Sequence, residues 1–394
     1  MLDHKTAQER AAALVERACK AGADAADVVY SGDSSESIQV RLGLLEDVER
    51  SESEHIGLRV FVGQASASIG SSDLGDTALD ELAKRAVAMA RLAPEDRYSG
   101  LAPDELLMRG PSPDLDLVDP LEPSPAQLRE LARAAEDAAR SVPGVTNSEG
   151  AGASSGRGIF ALATSHGFAR AYETTSHGLS ASVIAGEGAA MQRDYAWRSA
   201  RHAADLLSPQ EIGQLAGERA VARLAPGRLS SGAMPVVFDP RVGSTLISSL
   251  LGAMSGAAIA RGSSFLLGKE DDRIFDSAVT VIDNPLIPRG LGSRPFDGEG
   301  LPTAQRTLVE GGRLTGWLMD SAAARQLGGV PTGHASRGGG APVIGSGNVH
   351  IAPGSASPAD LMADIKDGIY VTELIGMGVN AVTGDYSRGA AGFR

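Results

Sequence analysis

Residues 27–53 have the sequence DVVYSGDSSESIQVRLGLLEDVERSES, a series of short β-prone runs separated by Gly, Ser and Asp. Two further runs of the same kind, IGLRVFVG at 56–63 and ASASIGSS at 65–72, follow directly. Short runs bounded by turn residues are typical of neighbouring strands. The pattern therefore predicts a meander of short strands.

Helices flank this β-rich region on both sides. Apolar residues recur at helical spacing in three segments, residues 5–23, 77–93 and 124–142. The last of these begins at Ser124, a typical N-cap, with Pro125 in the first turn. The intervening residues 93–125 are rich in Pro, Asp and Gly and are predicted to form a long connecting loop.

A Pro/Gly/Ser-rich stretch, PGRLSSGAM at 226–234, divides the chain. We predict an N-terminal α/β domain of helices and strand meanders over 1–224, a linker over 225–233, and a β-rich C-terminal domain over 234–394. In the C-terminal part, Gly-Gly at 311–312 joins two β-prone runs and predicts a hairpin. Because strands and helices do not alternate regularly, the predicted fold is α+β, with mixed helices and antiparallel β-ribbons or sheets.

Charge and hydropathy limit the possible functions. The chain of 394 residues has a formal net charge of −13 and no block of Lys or Arg, which argues against binding to nucleic acid or to anionic membranes. The first ten residues lack the apolar core of a secretory signal peptide. The longest weakly apolar run, Ser244–Ala260, is too rich in Ser and Gly for a membrane span, so we interpret it as a buried core helix. These features favour a cytoplasmic protein.

Motifs for catalysis are weak. The single cysteine, Cys19, lies on the apolar side of the first predicted helix, which favours a buried and inert thiol. Each of His166 and His177 lies in a Ser-His-Gly triplet and is predicted to be a polar turn residue. Residues 152–156 match the G-x-S-x-G pattern of a nucleophile elbow around Ser154, but a β-prone run follows where the elbow needs a helix. The residues alone therefore favour a binding or subunit role.

Four longer stretches resemble the TldD/PmbA family, and in particular its PmbA branch, also called TldE. They are ATSHGFARAYETTS (163–176), MPVVFDPRVGSTLISSLLGAMSGAAIARGSSFL (234–266), RIFDSAVTVIDNPLIPRGLGSRPFDGEGLPT (273–303) and GIYVTELIGMGVNAVTGDYSRGAAGF (368–393). The resemblance covers nearly the whole chain and implies a two-domain, PmbA/TldD-like protein of the cytoplasm. It also implies that the C-terminal domain is shortened at its end, because family members usually continue for several dozen residues beyond the last stretch.

The resemblance further implies that this chain has lost a zinc site. In the catalytic TldD sibling, a helix with the motif H-E-x-x-x-H binds zinc through its histidines, and its glutamate is the general base. Aligned through the VVFDP segment, Ser248, Ser249 and Ala253 stand at those three positions. The chain also has no cysteine after Cys19 to match the sibling's third ligand. We therefore expect no catalytic residue, metal or cofactor in this chain, and zinc in a TldD-type partner.

The function that the resemblance implies is that of a non-catalytic PmbA/TldE-like subunit of a TldD/TldE-type cytosolic zinc metalloprotease, acting on unfolded peptides or peptide precursors. The expected assembly is a heterodimer with the TldD-type subunit. Two alternatives stay open, a homo-oligomeric peptide-binding scaffold, such as a homodimer, and an enzyme of other chemistry based on Ser154.

The candidate peptide-cleft residues are Asn380, Asp385 and Arg388, because they lie beside the β-prone runs of residues 369–375 and 379–389. Extended peptides commonly bind by adding a strand to a sheet edge, where nearby polar groups can orient the peptide backbone. The structural alternative is an ion pair between Asp385 and Arg388 within a turn.

Overall fold

The computed structural model describes all 394 residues, and its first part is built on one large sheet. The helices of this part are α1 (His4–Lys20), α2 (Asp76–Leu92), α3 (Pro125–Arg140) and α4 (Pro209–Ala222). The strands are β1 (Ala25–Arg41), β2 (Leu44–Val62), β3 (Ala65–Ser71), β4 (Val145–Thr164), β5 (Ala169–Ala185) and β6 (Gln192–Ala200). They form a six-stranded antiparallel sheet in the order β3-β2-β1-β4-β5-β6.

The strands are much longer than the predicted meander. β1 continues through the Ser-rich residues 33–37, and it pairs with β2 from Ala25 to Arg41. On its other side β1 pairs with β4 over residues 27–40. The prediction of short strands is therefore wrong. Gly, Ser and Asp have a low β-propensity, but hydrogen bonds from the backbones of both neighbouring strands keep these residues extended.

The four helices of the first part pack against the sheet in two pairs. Helices α1 and α2 cover a core that includes Val28 and Tyr30 of β1, and α3 and α4 cover a core that includes Ile38 and Val40 of the same strand. These four residues are separated by even numbers and therefore belong to one face of β1. The Ser124 hydroxyl caps α3 in a capping box, which confirms the predicted start of that helix.

The second part of the chain contains shorter elements. Its helices are α5 (Pro240–Ala253), α6 (Gly256–Ala260), α7 (Ser321–Leu327) and α8 (Pro358–Ala363). Its strands are β7 (Val236–Phe238), β8 (Val281–Asp283), β9 (Arg306–Glu310), β10 (Arg313–Leu314), β11 (Ala335–Ser336), β12 (Val343–Ile344), β13 (Val349–Ile351), β14 (Ile369–Val379) and β15 (Tyr386–Phe393). They form three sheets, β10-β9-β8-β13, β11-β12 and β15-β14-β7.

These sheets confirm the predicted α+β class. All strand pairs of the second part are antiparallel except β7 with β14. The predicted Gly-Gly hairpin is also confirmed, because Gly311 and Gly312 join β9 to β10 with φ angles of 52° and 79°. Backbone angles of this kind favour glycine over residues with a Cβ.

The apolar run Ser244–Ala260 is not one buried helix, so that prediction is wrong. Helix α5 ends at Ala253, and α6 begins only after Ser255. One face of α5 is buried through Leu250 and Ala253, whereas Gly252 is exposed and a Cβ added to it would meet no atom within 4 Å. The run is therefore amphipathic in the fold. Its Ser and Gly residues differ too little in hydropathy from their neighbours for the sequence to show which face is exposed. No helix of the structure combines the length and the apolar character needed to cross a membrane.

The prediction of a buried Cys19 is also wrong, since the thiol is exposed near the end of α1. The preceding Ala18 is buried, and one further residue rotates the side chain by about 100° away from the core. The surrounding atoms still desolvate the thiol in part, and this raises its pKa. A raised pKa lowers the thiolate fraction at neutral pH and therefore the reactivity of the thiol.

The opposite face of the large sheet meets the second part of the chain. Val29 and Leu162 of the sheet form a buried apolar cluster with Phe296 and Leu301 of the second part. The rings of Phe168 and Phe296 pack edge to face, with centroids 5.2 Å apart. The predicted loop between α2 and α3 contains only one short 3-10 turn, and its buried residues 107–108 join this cluster. The two parts therefore share a core.

Candidate functional site

The three positions aligned with the zinc motif lie at the end of α5 but not on one face. The Ser248 hydroxyl donates to the carbonyl of Ser244, and the Ser249 hydroxyl donates to the carbonyl of Thr245, each at 3.0 Å. Ser248 is exposed, whereas Ala253 is buried. The hydroxyl groups thus satisfy the helix backbone, as serine often does inside helices.

These residues do not fit a zinc ion. Zinc in proteins is held by thiolate, imidazole and carboxylate ligands, and this helix end supplies none of them. No histidine in the chain is followed by glutamate. Across the structure, no group of three or more His, Cys, Asp or Glu side chains is arranged to hold a metal ion. No catalytic step through a metal can be derived from these residues.

The predicted cleft residues lie together in the hairpin of β14 and β15. Asn380 Oδ1 accepts hydrogen bonds from the backbone N–H groups of Val382 and Thr383, at 2.9 and 3.2 Å. Asp385 Oδ2 accepts a hydrogen bond from Thr383 Oγ1 at 2.7 Å. Arg388 lies on β15, and its Nε is buried without a hydrogen-bond partner. Asn380 and Asp385 therefore fix the turn through their side-chain oxygens, and Arg388 carries a buried donor that is not used within the protein.

The proposed ion pair between Asp385 and Arg388 is absent, so this structural alternative is wrong. Arg388 forms no ion pair at all, and Asp385 is occupied by the turn. In sheet order, β14 lies between β15 and β7, and it pairs with β7 only over residues 369–371. The run IYVTELI is therefore an inner strand only at its start. β15 forms one outer edge of this sheet, and β14 has no neighbour on the β7 side beyond residue 371.

The same hairpin exposes large apolar side chains. The exposed fraction is 56% for Ile375, 88% for Met377 and 57% for Val382. Single exposed apolar residues are common, but several on one hairpin beside a free strand edge are typical of an interaction surface. The hairpin therefore combines an edge for backbone pairing with apolar side chains and one unpaired guanidinium.

A buried charge cluster joins the two parts of the chain. Asp27 of β1 is 2% exposed and accepts hydrogen bonds from Arg59 of β2, including one from Nε at 3.0 Å. Arg337, from the segment between β11 and β12, approaches the same carboxylate, with Nη1 2.8 Å from Oδ1. Burial alone would raise the pKa of Asp27, but Arg59 and Arg337 outweigh this and lower it. Asp27 is thus ionised and serves two buried cations.

A second buried carboxylate lies near this cluster. Glu299 Oε2 accepts hydrogen bonds from the backbone N–H and the hydroxyl of Ser321, both at 2.8 Å, at the start of α7. Burial and the nearby charge of Asp297 raise the pKa of Glu299 to about 7. Burial also raises the pKa of Asp297. The ionised form of Glu299 is therefore disfavoured in the folded protein.

Glu299 makes stability depend on pH in a defined direction. Its pKa of about 7 in the folded state lies above the ordinary value of 4.5, so the folded state holds the proton more tightly. The resulting stabilisation is complete below the ordinary pKa and is lost as the pH rises through 7. Between pH 5 and pH 8, we expect the free energy of unfolding of the wild type to fall by about 2–3 kcal/mol relative to that of Glu299→Gln. Urea unfolding at both pH values measures the difference.

The matched control is Glu310→Gln, at an exposed glutamate at the end of β9. This substitution removes the same charge in the same part of the chain without changing a buried group. The difference in free energy of unfolding between the wild type and Glu310→Gln should stay constant within about 0.5 kcal/mol across the same pH range. Equal pH dependence of the two variants would contradict the assignment to Glu299.

Sequence reasoning missed a polar site inside the first part. His166 is exposed in the turn between β4 and β5, as predicted, but His177 lies within β5 and is only 3% exposed, so its predicted turn position is wrong. His177 Nε2 lies 3.3 Å from Asp119 Oδ2. The available signal was the alternation of apolar residues at Leu179, Ala181 and Val183, which places His177 on the same inward face of β5.

The G-x-S-x-G match does not form a nucleophile elbow. Ser154 lies in the middle of β4, where it pairs with Gly178 of β5 and Ser37 of β1. An elbow requires a sharp turn from a strand into a helix, and β4 continues to Thr164. This agrees with the sequence argument against a serine hydrolase of that type.

Comparison with protein-family models gives three matches that together cover most of the chain. Residues 26–90 match the PmbA/TldA metallopeptidase domain 1, residues 118–224 the central domain and residues 231–394 the C-terminal domain. Among curated proteins, the chain is 38% identical to "Metalloprotease PmbA" of Escherichia coli O157:H7 over 371 residues, which is 94% of this chain and 80% of that protein.

Two solved structures have a similar fold. A protein from Bacteroides thetaiotaomicron, described as a modulator of DNA gyrase, gives a TM-score of 0.90 at 28% identity over 100% of this chain and 87% of that one. TldE from Thermococcus kodakarensis gives a TM-score of 0.82 at 22% identity over 93% and 82% of the two chains. At this second level of identity the similarity concerns the fold alone.

Proposed function

The chain belongs to the PmbA/TldD metallopeptidase family, and from this premise we propose that it is the non-catalytic, PmbA/TldE-like subunit of a TldD/TldE-type zinc metalloprotease. The complete enzyme would act in the cytosol on unfolded peptides or peptide precursors. In this assignment the zinc and the general base belong to a TldD-type partner, and the present chain supplies part of the peptide-binding cleft.

The observation that carries the proposal is the side-chain chemistry at the end of α5. A metallopeptidase needs imidazole, thiolate or carboxylate ligands and a base for the attacking water. This chain has Ser248, Ser249 and Ala253 at the aligned positions. A family member of this composition can take part in metal-dependent proteolysis only if another chain provides the metal.

The β14–β15 hairpin supports the second half of the proposal. An extended peptide can add a strand beside β15, because the main-chain N–H and C=O groups of an edge strand are free to pair. Such hydrogen bonds accept almost any sequence, which suits a protease for unfolded peptides. The guanidinium of Arg388 would donate to a peptide carbonyl, while Asn380 and Asp385 hold the turn in position.

The first test concerns the isolated chain. We expect the purified protein to retain well under one zinc ion per chain after incubation with zinc and dialysis, and to cleave no unfolded peptide. Elemental analysis by mass spectrometry and a peptide-cleavage assay measure the two quantities. The variant with Ser248→Ala and Ser249→Ala is the matched control, and its zinc content should equal that of the wild type.

One tightly bound zinc ion per chain would contradict the proposal, and so would peptide cleavage that a chelator abolishes. Cleavage that persists in excess chelator would instead favour an enzyme of other chemistry. Stable self-association without a partner, together with peptide binding, would favour the homo-oligomeric scaffold.

A further inference from the structure

A cavity of about 520 Å³ lies beside His177, between the first half of α3, strands β4 and β5, and the segment after β6. Its walls are formed mainly by apolar side chains, Leu121, Pro123, Ala126, Leu128, Leu131 and Leu206. The volume falls within the range of about 300–1,000 Å³ that is typical of small-molecule sites. None of its lining residues belongs to α5 or to the β14–β15 hairpin, so binding of a ligand in this cavity does not depend on the proposed function.

The imidazole of His177 has one nitrogen facing the protein. Nε2 is buried without a hydrogen bond of good geometry and faces the Asp119 carboxylate at 3.3 Å. Asp119 is held in place by the backbone N–H groups of Leu121 and Ala203, at 2.9 and 2.8 Å. A proton on Nε2 is favoured, because a lone pair on this atom would face the negative charge of Asp119.

The other nitrogen is free to accept a hydrogen bond. Burial lowers the pKa of His177 more than Asp119 raises it, so the ring is neutral at pH 7. In a neutral ring with the proton on Nε2, Nδ1 carries the lone pair. Nδ1 has no hydrogen-bond partner in the protein, and this atom is not fully buried. Gln127 and Ser154 are the other uncharged polar residues of the lining, and Nδ1 of His177 is the acceptor that has no proton of its own to donate.

The charges around the cavity limit the class of ligand. No Lys or Arg lines it, and Glu130 on the exposed side of α3 is the one acidic residue of the lining. An anionic ligand would therefore find no counter-ion. His202 lies beyond Asp119, with Nδ1 3.9 Å from Oδ1, and does not line the cavity. An uncharged ligand with an apolar body fits these surroundings.

We propose that this cavity binds an uncharged aromatic group that carries one hydrogen-bond donor, such as a phenol, with Nδ1 of His177 accepting the hydrogen bond. The Asp119 carboxylate is a positioning group, because it orients the imidazole without touching the ligand. Leu121, Leu131 and Leu206 contact the aromatic ring. Nδ1 distinguishes ligands with a donor from ligands without one. When a ligand without a donor binds, Nδ1 loses its hydrogen bond to water and gains none in return.

The test compares two probes of nearly equal shape, 2-naphthol and 2-methoxynaphthalene, of which only the first has a donor. We expect the full chain to bind 2-naphthol about tenfold more tightly, which corresponds to one net hydrogen bond. Probe fluorescence measures both affinities. In His177→Phe, which keeps an aromatic ring and removes the acceptor, the two affinities should become equal.

Two further measurements keep the test decisive if His177→Phe does not fold. In the wild type, the ¹⁵N resonance of His177 Nδ1 should move when 2-naphthol is added and stay unchanged with 2-methoxynaphthalene. Leu131→Trp, which fills the cavity from α3, should abolish binding of both probes, whereas Leu92→Trp at an exposed end of α2 should not. Equal affinities in the wild type, no binding of either probe, or an unchanged preference in His177→Phe would overturn the proposal.

Discussion

Replacing Asp27 by Asn is expected to lower the free energy of unfolding by about 3–5 kcal/mol. The carboxylate is 2% exposed and is the shared partner of Arg59 and Arg337, both of which are also buried. Asparagine fits the same space but removes the carboxylate that contacts both desolvated guanidinium groups. Breaking a buried charge cluster in this way costs far more than its net contribution to stability, because the remaining charges cannot be hydrated.

The control for this prediction is Asp33→Asn, an exposed position on the same strand. It changes the charge of β1 equally and should alter stability by no more than about 0.5 kcal/mol. Chemical unfolding of both variants at pH 7 gives the comparison. Similar, small effects of the two substitutions would show that the cluster does not hold the two parts of the chain together. Because Arg337 comes from the second part, Asp27→Asn should also increase hydrogen exchange at residues 334–342.

Much of the fold could be predicted from the local sequence. Some residues act on the backbone of their own segment, and their effect is visible without knowledge of the rest of the structure. The cap at Ser124 and the turn at Gly311 and Gly312 are of this kind. Strand length could not be predicted in this way. Residues 33–37 have a low β-propensity, and only pairing with two neighbouring strands keeps them extended.

The candidate sites show the same limit. The prediction for Ser248, Ser249 and Ala253 depends only on their side-chain chemistry, which the sequence displays directly. The contacts of Asp27 with Arg337 and of His177 with Asp119 join residues far apart in the chain. No periodicity links such residues, so they become visible only in the folded structure. Gly252 lies in the run that was predicted to be a buried helix, and it is exposed, since a small residue on a helix is compatible with close packing and with exposure alike.

The hairpin offers a way to separate peptide binding from assembly in the proposed heterodimer. Arg388→Ala removes the unpaired guanidinium without changing the turn that Asn380 and Asp385 hold. We expect this variant to co-elute with the partner and to support less peptide cleavage than the wild type. Arg129→Ala, at an exposed position on α3, is the matched control and should leave the cleavage rate unchanged.

The subunit assignment is tested by combining the purified chain with a purified TldD-type protein and following the cleavage of an unfolded peptide. Each protein alone serves as a control, and size-exclusion chromatography of the mixture reports assembly. We expect a stable complex in which cleavage depends on both chains and is abolished by a chelator. A partner that is fully active alone and never co-elutes with this chain would contradict the assignment as a subunit.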